Sequence, residues 1–244
     1  MKVNLIGPGK VGRSVLNYFY KNGYEKGLII EKNKIDYKNF LFEGIILIGV
    51  PDDIIPNICY NLKKSSFKNV EALIHFSGFV DSSCFKDLSS KYKFSLHPNQ
   101  SFNKVKDISN ITWGIDGIDE KSINYAKKLV NMFNGRSLII PKGEKNAYHL
   151  AAVIASNFSY ALNFMSNKIY DSLNIKEREH LIDLAINSLN NIKEKGLKES
   201  LTGPVARKDT NTIAEERDAF NKYFGDKVCV YDFFVDLLKK ISEN

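Results

Sequence analysis

Cysteine is scarce in this chain. Cys59, Cys84 and Cys229 are odd in number and widely spaced. They predict neither a disulfide framework nor a metal site, and they suit a reducing cytoplasm. No apolar run reaches about 18 residues, so no membrane span is expected. The opening KVNLIG starts a strand-like run at once and carries no signal-peptide pattern. Internal repeats and low-complexity linkers are missing too. A basic stripe with interleaved aromatics is also lacking, although the net charge is +7. The lysines are scattered among acids, which argues against a nucleic-acid partner. What remains is a mild attraction for anionic small molecules.

What is present is an ordinary globular composition, 43% apolar and 26% charged over 244 residues. That length suits one large or two modest domains and can enclose a pocket. Short apolar runs at 2–6, 28–31, 45–50, 72–76, 94–96, 112–115 and 137–140 read as strands. Helical patterns at 11–21, 54–63, 84–91 and 121–133 lie between several of them. Strands alternating with helices predict a mostly parallel sheet. After Pro141 no convincing strand follows. Helices are expected over about 143–171, 176–194, 210–223 and 231–241, with Pro141 and Gly143 as boundary punctuation. The expected fold class is α/β. A sheet domain over 1–141 precedes an all-helical domain over 142–244, which would bind substrate and form a dimer.

GPGKVG, residues 7–12, joins the first strand to the first helix. Gly7 would permit the tight turn, Gly9 would let backbone approach a pyrophosphate, and Gly12 would let the helix pack closely on the sheet. With Pro8, Lys10 and Val11 these residues predict a dinucleotide site at a helix N-terminus. Glu31, 19 residues past Gly12, sits where an acid would hold the ribose 2′-hydroxyl of NAD. Lys32, Asn33 and Lys34 follow at once and could hold the 2′-phosphate of NADP instead. Val50, Pro51 and Asp52 close the third strand at the edge where a cofactor cleft would lie.

Two further strands end in polar residues. HFSG offers Ser77, and LHPNQSF offers His97, Asn99, Gln100 and Ser101. The helix beginning NAYHLAAVIASNF carries His149, Ser156 and Asn157 within an apolar pattern. His149 and Ser156 differ by only about 20° in direction and lie roughly 10 Å apart along the axis, with Asn157 about 80° away from His149. Three buried polar groups would need a network, a ligand or an interface. The same helix is apolar on several faces (Leu150, Val153, Ile154, Phe158, Leu162, Met165), which predicts burial within a domain or between chains. In LTGPVARKD, Thr202 opens a rigid turn from which Arg207 could bind a carboxylate.

GPGKVG, VPDD, HFSG, LHPNQSF, YHLAAVIASN and LTGPVARKD occur in the order found in a group of Rossmann-type reductases. The later half resembles the 6-phosphogluconate-dehydrogenase-like C-terminal fold, so the resemblance spans nearly the whole chain. It implies an NADP-dependent oxidoreductase, with NAD as the alternative cofactor. The specific activity it suggests is that of the alternative ketopantoate reductases, which act in pantothenate and coenzyme A synthesis. A pyrroline-5-carboxylate-type imine reductase and a non-catalytic NADP(H) sensor are the other readings. The related hydroxyacid dehydrogenases carry a catalytic lysine four residues before the helix asparagine. With Asn157 as that residue, the position holds Val153. His149 or His97 would then deliver the proton, and Ser156 and Asn157 would bind the carbonyl oxygen. Arg207, Thr202, Ser101 and Ser77 would contact a small carboxylate substrate. A homodimer in the cytoplasm is expected.

Overall fold

A computed structural model describes residues 1–31 and 37–243. Lys32, Asn33 and Lys34 fall outside the described residues. The chain divides into two compact units, Met1–Ala155 and Ser156–Asn244.

The first unit is built on a seven-stranded sheet, with β1 (Lys2–Ile6), β2 (Glu25–Ile30), β3 (Leu41–Ile48), β4 (Ser66–His75), β5 (Tyr92–Pro98), β6 (Thr112–Gly117) and β7 (Arg136–Ile139). The strand order is β2-β1-β3-β4-β5-β6-β7. Every pairing is parallel except β5 with β6. The mostly parallel sheet read from the alternating pattern is therefore the observed one. Alternation along the strands sends side chains to both faces. On one face Val3, Leu5, Ile45 and Leu47 pack with α1 (Lys10–Lys21) and α3 (Glu120–Met132) through Val15, Phe19 and Leu129, joined by Phe133 just after α3. On the other, Ile6, Ile46 and Ile48 pack with α2 (Ile55–Leu62) through Ile55, Ile58 and Leu62.

Asn4 is a polar residue inside this core, 2% exposed. Its amide donates to Glu43 O and Ile45 O, and its Oδ1 accepts from Leu28 N. The register shifts beside it, between Val3 and Leu5, and again around Gly44. The side chain supplies bonds where the strand ladders are irregular.

Two local expectations change. The helix predicted at 84–91 is a single 3-10 turn, Ser82–Phe85. Asp81 caps it by accepting from Ser83 N, and Phe85 and Leu88 reach the core without a longer helix. Ser90 then bonds Tyr92 O, a local alternative to helical pairing. β3 and β4 start earlier than their apolar runs, at Leu41 and Ser66, which pair with each other.

α4 (Lys145–Ser172) begins in the first unit and ends in the second. The second unit continues with α5 (Glu179–Lys195), α6 (Leu197–Ser200), α7 (Pro204–Arg207), α8 (Thr210–Phe224) and α9 (Val228–Glu243). The expected all-helical second half is thus the one observed. Arg217 grips Asp232 through two bonds of 2.7 and 2.9 Å, and Tyr231 donates to Ile213 O and Glu216, which ties α8 to α9. The expectation that α4 is buried on several faces does not hold within one chain. Its one buried residue is Lys145, while Leu150, Ile154, Phe158, Leu162 and Phe164 stand exposed. Among the described residues no helix is long and apolar enough to cross a membrane.

Candidate active site

The carboxyl ends of β1, β3, β4 and β5 lie side by side along one edge of the sheet in the first unit. In open parallel sheets that edge is where ligands bind.

Two glycine-lined turns occupy its β1–β3 part. Gly7 adopts φ +75°, and a Cβ there would overlap the Val50 side chain. Its N–H donates to Ile30 O at 2.9 Å, tying the turn to the end of β2 beside Glu31. A Cβ on Gly9 would stand 3.0 Å from Gly49 O, and one on Gly12 would stand 2.8 Å from Leu5 Cδ1. Gly49 is required in turn, since its Cβ would lie 2.7 Å from Gly7 O. Arg13 Nε donates to Pro8 O at 2.8 Å, which braces the loop. α1 then starts after Gly9, its N-cap, with no side-chain cap and no acid in its first turn. Its leading N–H groups and positive dipole end are thus left for an anion. Gly9 and Lys10 are exposed, and Pro8 and Val11 are half-buried. Val50 packs against Gly7, followed by exposed Pro51 and half-buried Asp52. The turn thus suits a pyrophosphate. Glu31 is exposed and available to a ribose.

The β4–β5 part holds the titratable groups. β4 ends in His75, which is fully buried and pushed down to about 3 by that burial and by the charge of Lys145. The next turn is closed by Ser77, whose Oγ accepts from Phe79 N and Val80 N at 3.0 and 2.8 Å. Gly78 follows. A Cβ on it would stand 2.6 Å from His149 Nδ1 and 2.9 Å from His97 Nε2, so only glycine lets the two imidazoles close over the turn. Their rings are 5.6 Å apart at 83°. His149 Nδ1 is buried and has no hydrogen-bond partner among the described residues. His97 Nδ1 meets Tyr148 Oη at 2.8 Å, and that hydroxyl donates to Asn99 Oδ1 at 3.0 Å. Burial first, then the positive charges of His149 and Lys145, hold His97 down to about 4. Burial also raises the Tyr148 phenol, against the pull of Asn99. His97 therefore stays neutral near pH 7.

Beneath them lies Lys145, 4% exposed. Its Nζ donates to Ser77 O at 2.8 Å and to Ser95 Oγ at 2.6 Å. Among the described residues no carboxylate comes within ion-pair distance of it. Burial lowers it to about 8, opposed by the more distant Asp116, Asp81 and Asp52. Lys145, Tyr148 and His149 share a face of α4 by their i, i+3, i+4 spacing.

The structure therefore brings His97, His149 and Ser77 together, with the Ser77 oxygen engaged by its own turn. Ser101 is exposed on the loop after β5, where its N–H donates to Gln100 and its carbonyl accepts from Lys106. Ser156 and Asn157 are exposed neighbours in the second unit, joined by a 2.9 Å bond. Thr202 and Arg207 also belong to that unit and are exposed, Arg207 at the end of α7. Sequence reasoning missed Lys145, Tyr148 and Gly49. The spacing of Lys145 to His149 was the one available signal, since i, i+4 residues share a helix face. Among the described residues no group of three or more His, Cys, Asp or Glu could hold a metal ion.

Residues 111–233 match the profile of a family described as a domain of unknown function, DUF2520. No curated protein matches the chain. Among solved structures, protein TM1727 from Thermotoga maritima is 33% identical, with a TM-score of 0.80, over 99% of this chain and 98% of that one. An imine reductase from Myxococcus stipitatus, in complex with NADP+, is 9% identical, with a TM-score of 0.63, over 100% and 94%. A 1-pyrroline-5-carboxylate reductase from Streptococcus pyogenes is 14% identical, with a TM-score of 0.58, over 98% of both chains. At such identities the last two show a shared fold, the Rossmann-type domain followed by helices.

Proposed function

The chain belongs to the DUF2520 family, and we propose that it is an NAD(P)-dependent oxidoreductase that reduces a small carbonyl or imine compound. One observation carries this reading. A single sheet edge bears both an uncapped glycine turn fit for a pyrophosphate and a half-buried pair of imidazoles. NADP is the preferred cofactor and NAD the alternative, because Lys32, Asn33 and Lys34 directly follow Glu31. The imine reductase of similar fold was crystallised with NADP+.

When bound, the reduced nicotinamide supplies a hydride. Gly7, Pro8, Gly9, Lys10, Val11 and Gly12 would hold the pyrophosphate, and Val50, Pro51 and Asp52 would flank it. His97 and His149 would meet the reacting oxygen or nitrogen. Ser156, Asn157, Thr202, Arg207 and Ser101 are proposed to bind the substrate's polar groups on the strength of the sequence motifs alone. With a 2-oxo acid as substrate, and ketopantoate by preference, the alkoxide formed needs a proton. That substrate is supported by the motif resemblance.

The low proton affinity of His97 favours the second reading, an imine. A protonated imine already carries its proton when the hydride arrives, so a neutral imidazole suffices. Three unpaired cysteines suit a reducing cytoplasm. The exposed apolar faces of α4 and α5 are proposed to be covered by a second copy, giving a homodimer. Side-by-side NADPH and NADH oxidation assays with ketopantoate and pyrroline-5-carboxylate decide the substrate class. Tight cofactor binding without oxidation by any 2-oxo acid or imine would instead mark a nucleotide sensor.

A further inference from the structure

We infer that Tyr148 is a positioning residue that fixes His97 in a single tautomer and leaves its Nε2 as a hydrogen-bond acceptor. A phenol has one hydrogen to give. Tyr148 gives it to Asn99 Oδ1 at 3.0 Å. Its oxygen also lies 2.8 Å from His97 Nδ1, so it must accept there, and the imidazole proton resides on Nδ1. A neutral imidazole has one N–H, so Nε2 keeps a lone pair. That atom lies on the Gly78 side, where His149 Nδ1 also converges.

The fold makes room for this arrangement. Gly114 on β6 pairs with His97 across the antiparallel ladder. A Cβ on Gly114 would overlap the Tyr148 hydroxyl and stand 2.6 Å from its Cζ. The missing side chain is therefore the slot that admits the phenol. Tyr148 is half-buried, which keeps its hydroxyl un-ionised. The ionisable groups whose charge acts on His97 are His149 and Lys145, and both would disfavour a second proton on the ring.

The chemical consequence concerns the ligand. A group that meets His97 Nε2 must bring a hydrogen: the N–H of a protonated imine or amine, or the hydroxyl of an alcohol. A bare carbonyl oxygen offers none. The identity of that ligand rests on the reductase reading, but the tautomer belongs to the protein alone and can be tested without turnover.

The test is nitrogen-15 NMR of the histidine side chains at pH 7, using the full chain. His75 is an internal control, because its Nδ1 accepts from Ser77 N at 3.3 Å and its proton must sit on Nε2. The expected result is opposite tautomers, with Nδ1–H for His97 and Nε2–H for His75. Tyr148→Phe should move the His97 proton to Nε2, the form free imidazole prefers, and leave His75 unchanged. Asn99→Ala, on an exposed residue, is the second variant. It frees the hydroxyl to donate to Nδ1, so the Nδ1–H form should lose its dominance. A wild-type His97 protonated at Nε2, or a His97 that keeps Nδ1–H in Tyr148→Phe, would overturn the inference. These outcomes do not depend on whether any substrate is found.

Discussion

The two units treat their apolar residues in opposite ways. Met1–Ala155 encloses two large clusters on the faces of its sheet. In Ser156–Asn244 the buried hydrophobic residues among those described are Val205 and Val235. There Phe158, Leu162, Phe164, Leu184, Leu189 and Phe233 face outward, and α5 and α8 bury nothing. A sheet covered by helices on both faces completes its own core. The helices of the second unit do not, and their apolar surface exceeds what scattered exposed residues account for. The polar chemistry is divided as well. The first unit hides His75 and Lys145 from water and half-buries His97, whereas the second displays Ser156, Asn157 and Arg207.

Hiding ionisable groups sets the largest expected effect. His75 and His97 sit at about 3 and about 4, below the 6.5 of an unperturbed histidine. The unfolded chain then binds more protons than the native one in this window. The stability these groups contribute is complete above pH 6.5 and is lost as pH falls toward 4. His97 alone accounts for roughly 3 kcal/mol. Urea unfolding at pH 7 and pH 4.5 measures it, and His97→Asn should roughly halve the difference, leaving the share of His75.

The next effect is on catalysis. Gly78→Val places carbon against both imidazoles, and displacing them should cost about 100-fold in kcat/KM. Cofactor binding, measured by quenching or calorimetry, should change little. Equal loss of both would place the imidazoles with the nucleotide instead.

In the second unit, Leu184→Asp and Leu189→Asp should each weaken self-association by roughly 2 kcal/mol, read by analytical ultracentrifugation. A wild-type chain that sediments as a monomer would remove the second copy from the account. The smallest change expected is at Glu31. Glu31→Gln should shift the NADPH-to-NADH preference by a few-fold, because Glu31 is exposed and Lys32, Asn33 and Lys34 follow it in sequence.

Sequence pattern made the sheet readable because each strand contains a local apolar run. β1 occupies the stretch its apolar run marks, Lys2–Ile6. The glycine loop was readable for the same local reason. His97 and His149 could be singled out as polar residues at a strand end and in an apolar helix. Their meeting over Gly78 depends on packing between segments about 50 residues apart. Gly49, Tyr148 and Lys145 stayed hidden on similar grounds. Their roles come from what they touch, namely the Gly7 carbonyl, His97, and Ser77 with Ser95. A lysine at the start of a helix reads as solvated until the sheet edge that encloses it is known. The faces of α4 misled for the converse reason, since an apolar stripe does not tell which molecule covers it.

The central claim is that the sheet edge of the first unit positions a reduced nicotinamide against an unsaturated carbon. The most direct measurement uses NADPH deuterated at C4 on either face, with ketopantoate and pyrroline-5-carboxylate offered separately, and mass spectrometry of the product. The account predicts that one deuterium appears in the product of at least one substrate, from one face of the nicotinamide only. No label in either product, with the cofactor bound and the protein folded, would contradict it.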